Sequence, residues 1–294
     1  MRLLVGFSVD KGGREALRLA AMIARSSGGS LVVATIQPEG WDHPSPARVD
    51  GEYVEFLKKF AAKALAAATA ELPEDVRAEV VIRHAGSAGV GLCMAAEEFG
   101  VDGVVLGSAR SAVLGRFTEG ATATEILHSS RHPVILAPRG YVPDATARVA
   151  RVTCAVATQG DCQAVARAAH RFAAALNAPL RLATFIVRDK QMYPTGAGYD
   201  VENLVSNQLR SQAEQTHQRL LGALQDEPVQ SVMGDGSSWK AAIESIDWLA
   251  DELLVIGSSH LGPVMQVFLG SSSGKIARYA PVPRMIVPRH GDGD

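Results

Sequence analysis

The chain has 294 residues, 47% of them hydrophobic and 20% charged, with a formal net charge of -2. This balance excludes a disordered or collagen-like chain and provides no basic field addressed to nucleic acid. At roughly 100 to 200 residues per domain, the length suggests two domains.

The N-terminus MRLLVGFSVD has too short an apolar run for a signal-peptide core, and no run elsewhere reaches about 18 apolar residues. A cytoplasmic protein without a membrane or nucleic-acid partner is therefore expected. Cys93, Cys154 and Cys162 lack CxxC spacing. They are read as small buried residues rather than as a disulfide or zinc framework.

Short runs rich in Val, Ile and Leu predict strands at 2–8, 30–37, 78–84, 103–107 and 133–137, each buried on both faces. Between them lie segments of helical periodicity, such as REALRLAAMIARSSGG with its closing glycines and VEFLKKFAAKALAAATAEL. The second half predicts strands at 152–157, 180–187, 229–233, 253–257 and 284–287. Strands alternating with helices make a parallel, doubly wound sheet in each half.

The two halves are one unit written twice. Gly107-Ser108 after VDGVVL is echoed 150 residues later by Gly257-Ser258 after DELLVI, Gly120 by Gly270, and Pro133 and Pro138 by Pro283 and Pro288. Earlier landmarks are offset slightly: Ala34-Thr35-Ile36 matches Ala183-Thr184-Phe185 at 149, and Gly86 is matched to Gly234 at 148. The expected organisation is a domain at 1–139, a polar linker at 140–150 and a second domain at 151–294. Long loops at 38–52 and 188–200 follow the second strand of each unit, as binding elements or as variable surface.

Ligands of open parallel sheets bind beyond the carboxyl ends of the strands, where strand order reverses. Gly107 and Gly257 close the fourth strands, and Gly270-Ser271-Ser272-Ser273 could offer helix N-terminal amides and hydroxyls to phosphate. The same serines are also ordinary capping residues, so locally both readings stand. GSAGVG at 86–91 follows a third strand and reads as a turn capped by Ser87, not as a dinucleotide loop.

The repeat and the spacing G-x-x-G, nine residues, G-[ST] resemble the universal stress protein family, in its tandem two-domain form. The closing segments LHSSRHPVILAP and ARYAPVPRMIVP are similar to that family too. The resemblance covers nearly the whole chain and implies Rossmann-like units of the adenine nucleotide alpha hydrolase type. It further implies a stress-response binding protein for ATP or another adenine nucleotide, with magnesium only alongside the nucleotide.

Carried over residue by residue, Gly257, Gly270 and Ser271 match the family's loop in the second half, with Ser258 and Ser272 beside them, while His260 stands at the middle glycine. In the first half Gly107 and Gly120 match, but Arg110 takes the middle glycine and Ala121 the hydroxyl position, with Thr122 one place later. His260 is taken as compatible with a nucleotide and Arg110 as closing or reshaping its site. The second loop is the better candidate.

Nucleotide-binding members usually end the first strand with a ribose-binding aspartate. Here that position is Ser8, with Asp10 two residues on, and in the second repeat Ala157-Thr158. Losing the carboxylate should weaken ribose recognition by about 1.5 to 3 kcal/mol unless Thr158 or a backbone carbonyl substitutes. The adenine is expected near Ile36 or Phe185, and Lys275 and Arg278 are read as surface charges or phosphate contacts.

No catalytic set assembles: there is no GxxxxGK[ST], no nucleophile elbow and no HxxxH pair on a helix. A binding protein is expected rather than an enzyme, with slow ATP hydrolysis left open. The competing reading is a nucleotide-independent interaction module. The resemblance implies pairing of the two halves through their last strands, and a further homodimer is open. Trp239, Ile243 and Leu249 are read as one helix face.

Overall fold

The structure is a computed structural model and describes residues 1–8, 13–39, 50–158, 162–188, 198–224, 229–258 and 271–288. The chain divides into two compact units, the first running from Met1 to Arg148 and the second starting at Val149.

The first unit contains β1 (Arg2–Gly6), α1 (Arg14–Ser27), β2 (Ser30–Pro38), α2 (Asp50–Thr69), β3 (Arg77–Ala85), α3 (Ala88–Phe99), β4 (Gly103–Gly107), α4 (Ala121–Ser129) and β5 (Val134–Ala137). Its strands lie in the order β3-β2-β1-β4-β5, and every pairing is parallel. The second unit repeats the plan with β6 (Arg151–Ala155), α5 (Gln163–Ala175), β7 (Leu180–Val187), α6 (Gly198–Ala223), β8 (Gln230–Gly236), α7 (Trp239–Glu244), β9 (Glu252–Gly257), α8 (Ser271–Tyr279) and β10 (Arg284–Val287). Its order is β10-β9-β6-β7-β8, again parallel.

The central strands are buried on both faces, as their unbroken apolar runs require: Leu3, Leu4, Val5, Val104, Val105, Leu253, Leu254 and Val255 have no exposed surface. In each unit the chain leaves the first strand on one side and returns on the other, between β1 and β4 and between β6 and β9. These switch points place a crevice at the carboxyl ends of those two strand pairs.

Helix ends show how closely the repeat is kept. α1 stops at Gly28, whose left-handed φ of 63° lets its N–H reach the Ala24 and Arg25 carbonyls. The matching position after α5 is Asn177, with φ 51°. Asparagine is one of the few side chains that tolerate this conformation.

Within the expected linker at 140–150, residues 140–148 lie along α1. Gly140 N–H donates to Glu15 at 3.1 Å, Tyr141 hydroxyl to Met22 Sδ at 3.4 Å, and Arg148 Nη1 to the Arg25 carbonyl at 2.6 Å.

Two expectations are corrected. Ser87 and Ser238 are the true counterparts, each an N-cap accepting from the amide three residues on (Val90 at 3.1 Å, Ala241 at 3.2 Å). The offset there is therefore 151, not the 148 drawn from Gly86 and Gly234, whose shared glycine is coincidental. The proposed stripe of Trp239, Ile243 and Leu249 does not form, because α7 ends at Glu244 and Leu249 stands 40% exposed beyond it.

Candidate functional site

Each carboxyl end is built around a matched threonine. Phe7 N–H bonds the Ala34 carbonyl at 2.8 Å, and Thr35 Oγ1 donates to the Phe7 carbonyl at 2.9 Å. In the second unit Val156 N–H bonds Ala183 at 2.9 Å, and Thr184 Oγ1 donates to Val156 at 3.0 Å. The chain leaving the first strand of each unit is thus held at one height above the sheet. Ser8 and Ala157 come next, while Asp10 lies outside the described residues.

In the first unit the loop after Gly107 is satisfied by its own bonds. Ser108 Oγ accepts from Thr118 N–H at 2.8 Å, and Ala109 N–H donates to the Thr118 carbonyl at 2.9 Å. Ala112, Gly115 and Arg116 N–H groups bond Ala109, Arg139 and Val113, while Arg139 Nη1 donates to the Ala112 carbonyl at 2.6 Å. Ala112 and Phe117 are buried beneath the loop, and Arg110 sits exposed on its turn. These amides are already spent, so the loop offers little to an anion. Gly120 precedes α4 without a side-chain cap, leaving Ala121 exposed and Thr122 half-exposed.

The second unit differs. Ser273 Oγ donates to the Gly257 carbonyl at 3.2 Å, pinning the start of α8 against the end of β9. Ser271 and Ser272 are exposed as the first two helical residues rather than caps, and no acidic side chain stands in the first turn. Their amides belong to the unpaired set at a helix start, where the helix dipole favours an anion. Ser258 is not presented to a ligand; it is 2% exposed, and its N–H bonds Val287 at 3.0 Å. His260 and Gly270 lie outside the described residues.

Ala157 is exposed and Thr158 half-exposed beside this crevice. The Thr158 carbonyl accepts from Thr216 Oγ1 of α6 at 3.3 Å. Thr184, between Val156 and α6, also bonds His217 Nε2 at 2.9 Å. His217 is 2% exposed, and burial lowers its pKa from the ordinary histidine value.

Several sequence candidates point elsewhere. Phe185 is buried, stacked on Trp248 at 6.4 Å and pressed against Gly234, so its ring belongs to the core. Its counterpart Ile36 packs against Gly91 of α3. Alternation along the strand directs Thr35 and Thr184 to one face and these two side chains to the other. Lys275 Nζ lies 5.6 Å from the Trp239 ring centroid, and the Arg278 guanidinium lies 5.9 Å from that of Tyr279. Both cations rest on aromatic faces.

Sequence reasoning named Ser273 only as a phosphate donor, not as the pin to Gly257, and missed Thr216, His217 and the role of the paired threonines. The threonines had a signal, since both stand in the matched ATI and ATF segments. His217 had none: only the packing of α6 brings it to β7.

A profile of the universal stress protein family matches residues 1–138 and 149–288. The chain belongs to the universal stress protein family. It carries two tandem copies of the family's unit. It is 37% identical over 294 residues to universal stress proteins of Mycobacterium tuberculosis and Mycobacterium bovis, covering 98% of this chain and 100% of each relative. A universal stress protein of Archaeoglobus fulgidus has a similar structure, with a TM-score of 0.61 at 17% identity over 98% of both chains. A universal stress protein structure from Pseudomonas aeruginosa follows at TM-score 0.56 and 12% identity, over 98% of this chain and 93% of that one.

Among the described residues no group of three or more His, Cys, Asp or Glu is placed to hold a metal ion, and no helix is long and apolar enough to cross a membrane.

Proposed function

We propose that this universal stress protein binds an adenine nucleotide, chiefly ATP or ADP, in its C-terminal unit at the carboxyl ends of β6 and β9. The observation that carries this reading is the start of α8, pinned beside Gly257 by Ser273 with Ser271 and Ser272 exposed and no acid in its first turn. That set suits phosphate oxygens. The ribose side is poorer, because Ala157 supplies no side-chain acceptor and, among the described residues of this turn, the Thr158 hydroxyl and backbone carbonyls remain. Phosphate contacts should therefore dominate affinity.

The first unit is the weaker site, its loop amides being occupied internally by Ser108, Ala109 and Thr118. The reading is of binding rather than catalysis. Calorimetric titration of the full chain with ATP, ADP, AMP, cyclic AMP and adenosine tests this. Affinity should fall from ATP to AMP and vanish for adenosine. No heat with any of them at millimolar concentration would favour a nucleotide-independent interaction module.

A further inference from the structure

The polar pair Thr184–His217 has no equivalent among the described residues of the first unit. The buried stripe of α2 is Ala61, Leu65 and Ala68, and that of α6 is Ala213, His217 and Leu220, with the same spacing. A histidine therefore stands where the first unit has leucine. Leucine is compatible with the packing, and the threonine–carbonyl bond below it forms without any imidazole, as Thr35 and Phe7 show.

The tautomer of His217 follows from the hydrogens available. Thr184 has one hydroxyl proton, which goes to the Val156 carbonyl, as its twin's does to Phe7. Thr184 Oγ1 can then only accept, so the imidazole carries its proton on Nε2 and donates it across the 2.9 Å contact. The opposite tautomer would leave a buried N–H without an acceptor, because Nδ1 has no partner among the described residues. A bare acceptor is the lesser loss. One residue earlier, Thr216 Oγ1 bonds the Thr158 carbonyl.

We propose that His217 is a positioning residue for the ligand end of the C-terminal unit. As a neutral Nε2–H imidazole it completes a chain from α6 through Thr184 to the Val156 carbonyl. Together with Thr216 on Thr158, it fixes the turn 156–158 that borders the crevice. With no carboxylate at Ala157, the turn's backbone carbonyls and the Thr158 hydroxyl are what the described residues offer to ribose hydroxyls, and their placement matters more. This role rests on the nucleotide reading only for its effect on affinity; the fixing of the turn does not depend on it.

The test uses the full chain with His217→Leu, the first unit's own solution, and His217→Gln, which returns an N–H donor near the Nε2 position. Without nucleotide, amide hydrogen exchange over 156–158 should accelerate about five-fold in His217→Leu, the equivalent of one lost hydrogen bond. The melting temperature should hold or rise, and His217→Gln should restore slow exchange. Exchange unchanged in His217→Leu, or equally fast in both variants, would overturn the proposal. Should His217→Leu not fold, nitrogen-15 NMR of the wild-type imidazole decides: an Nε2–H tautomer is required, and an Nδ1–H tautomer refutes it. ATP affinity in His217→Leu should drop by a similar factor, and unchanged affinity beside faster exchange would show that the turn does not serve the ligand. If the wild type binds no nucleotide, the site reading fails while the exchange result still judges His217.

Discussion

Arg181 Nη2 donates to Glu252 Oε1 at 2.8 Å, and both residues are buried. The bond lies at the amino ends of β7 and β9, opposite the crevice. Arg151 Nη2 reaches the other carboxylate oxygen at 2.7 Å, Thr153 Oγ1 donates to Oε1, and Leu249 N–H closes the set at 3.0 Å. The exposed Asp247 takes a further bond from each arginine, and the hydrogen bond from Arg151 holds its carboxyl below the ordinary range.

Glu252→Gln should therefore destabilise the second unit by about 3 kcal/mol, because two buried guanidinium groups lose their buried counter-charge and keep only the exposed Asp247. Urea unfolding monitored by circular dichroism would show the midpoint fall. Glu79→Gln, which breaks the half-exposed pair with Arg2, should cost less than about 1 kcal/mol. Equal losses from the two substitutions would contradict the burial argument.

Asn177→Ala should cost about 1 kcal/mol, since alanine must pay for the left-handed backbone that asparagine tolerates. Asn177→Gly should be neutral or stabilising, as Gly28 is at the matching helix end. Thermal denaturation of both variants distinguishes a conformational effect from a lost side-chain contact, which would lower both.

Ser272→Asp should act in opposite directions on stability and binding. An acid in the first turn of α8 favours the helix by about 0.3 to 1 kcal/mol, whereas it repels phosphate. Calorimetry should show ATP affinity reduced at least about ten-fold, a loss of roughly 1.4 kcal/mol. The melting temperature should hold or rise. Undiminished affinity would remove α8 from the site.

Burial lowers the His217 pKa in the folded state. The unfolded chain, near the ordinary histidine value of 6.5, therefore binds a proton that the native state refuses. Above that pH both states are neutral and the residue contributes no pH dependence; as pH falls through it, stability declines until the lowered native pKa is reached. Unfolding free energies at stepped pH should show this decline in the wild type and less of it in His217→Leu. Identical profiles would contradict the buried, neutral imidazole.

What the sequence alone determined is what repeats within it. Val, Ile and Leu runs alternating with helical periods define parallel sheets because they are local patterns. The twin glycine landmarks placed Gly107 and Gly257 at the ends of β4 and β9 for the same reason. Ala157 and Ser8 could be read as missing carboxylates without any coordinates.

Only the tertiary structure decided which way side chains face and which donors are already spent. Phe185 turned out to be core because strand alternation and Trp248, distant in sequence, fix its direction. The first unit's loop closed on Ser108 and Thr118, ten residues apart. His217 met Thr184 because a helix folds back across the sheet, bringing together residues 33 apart. Hydrogen bonds between distant segments leave no periodic trace along a chain, whereas burial of whole elements does.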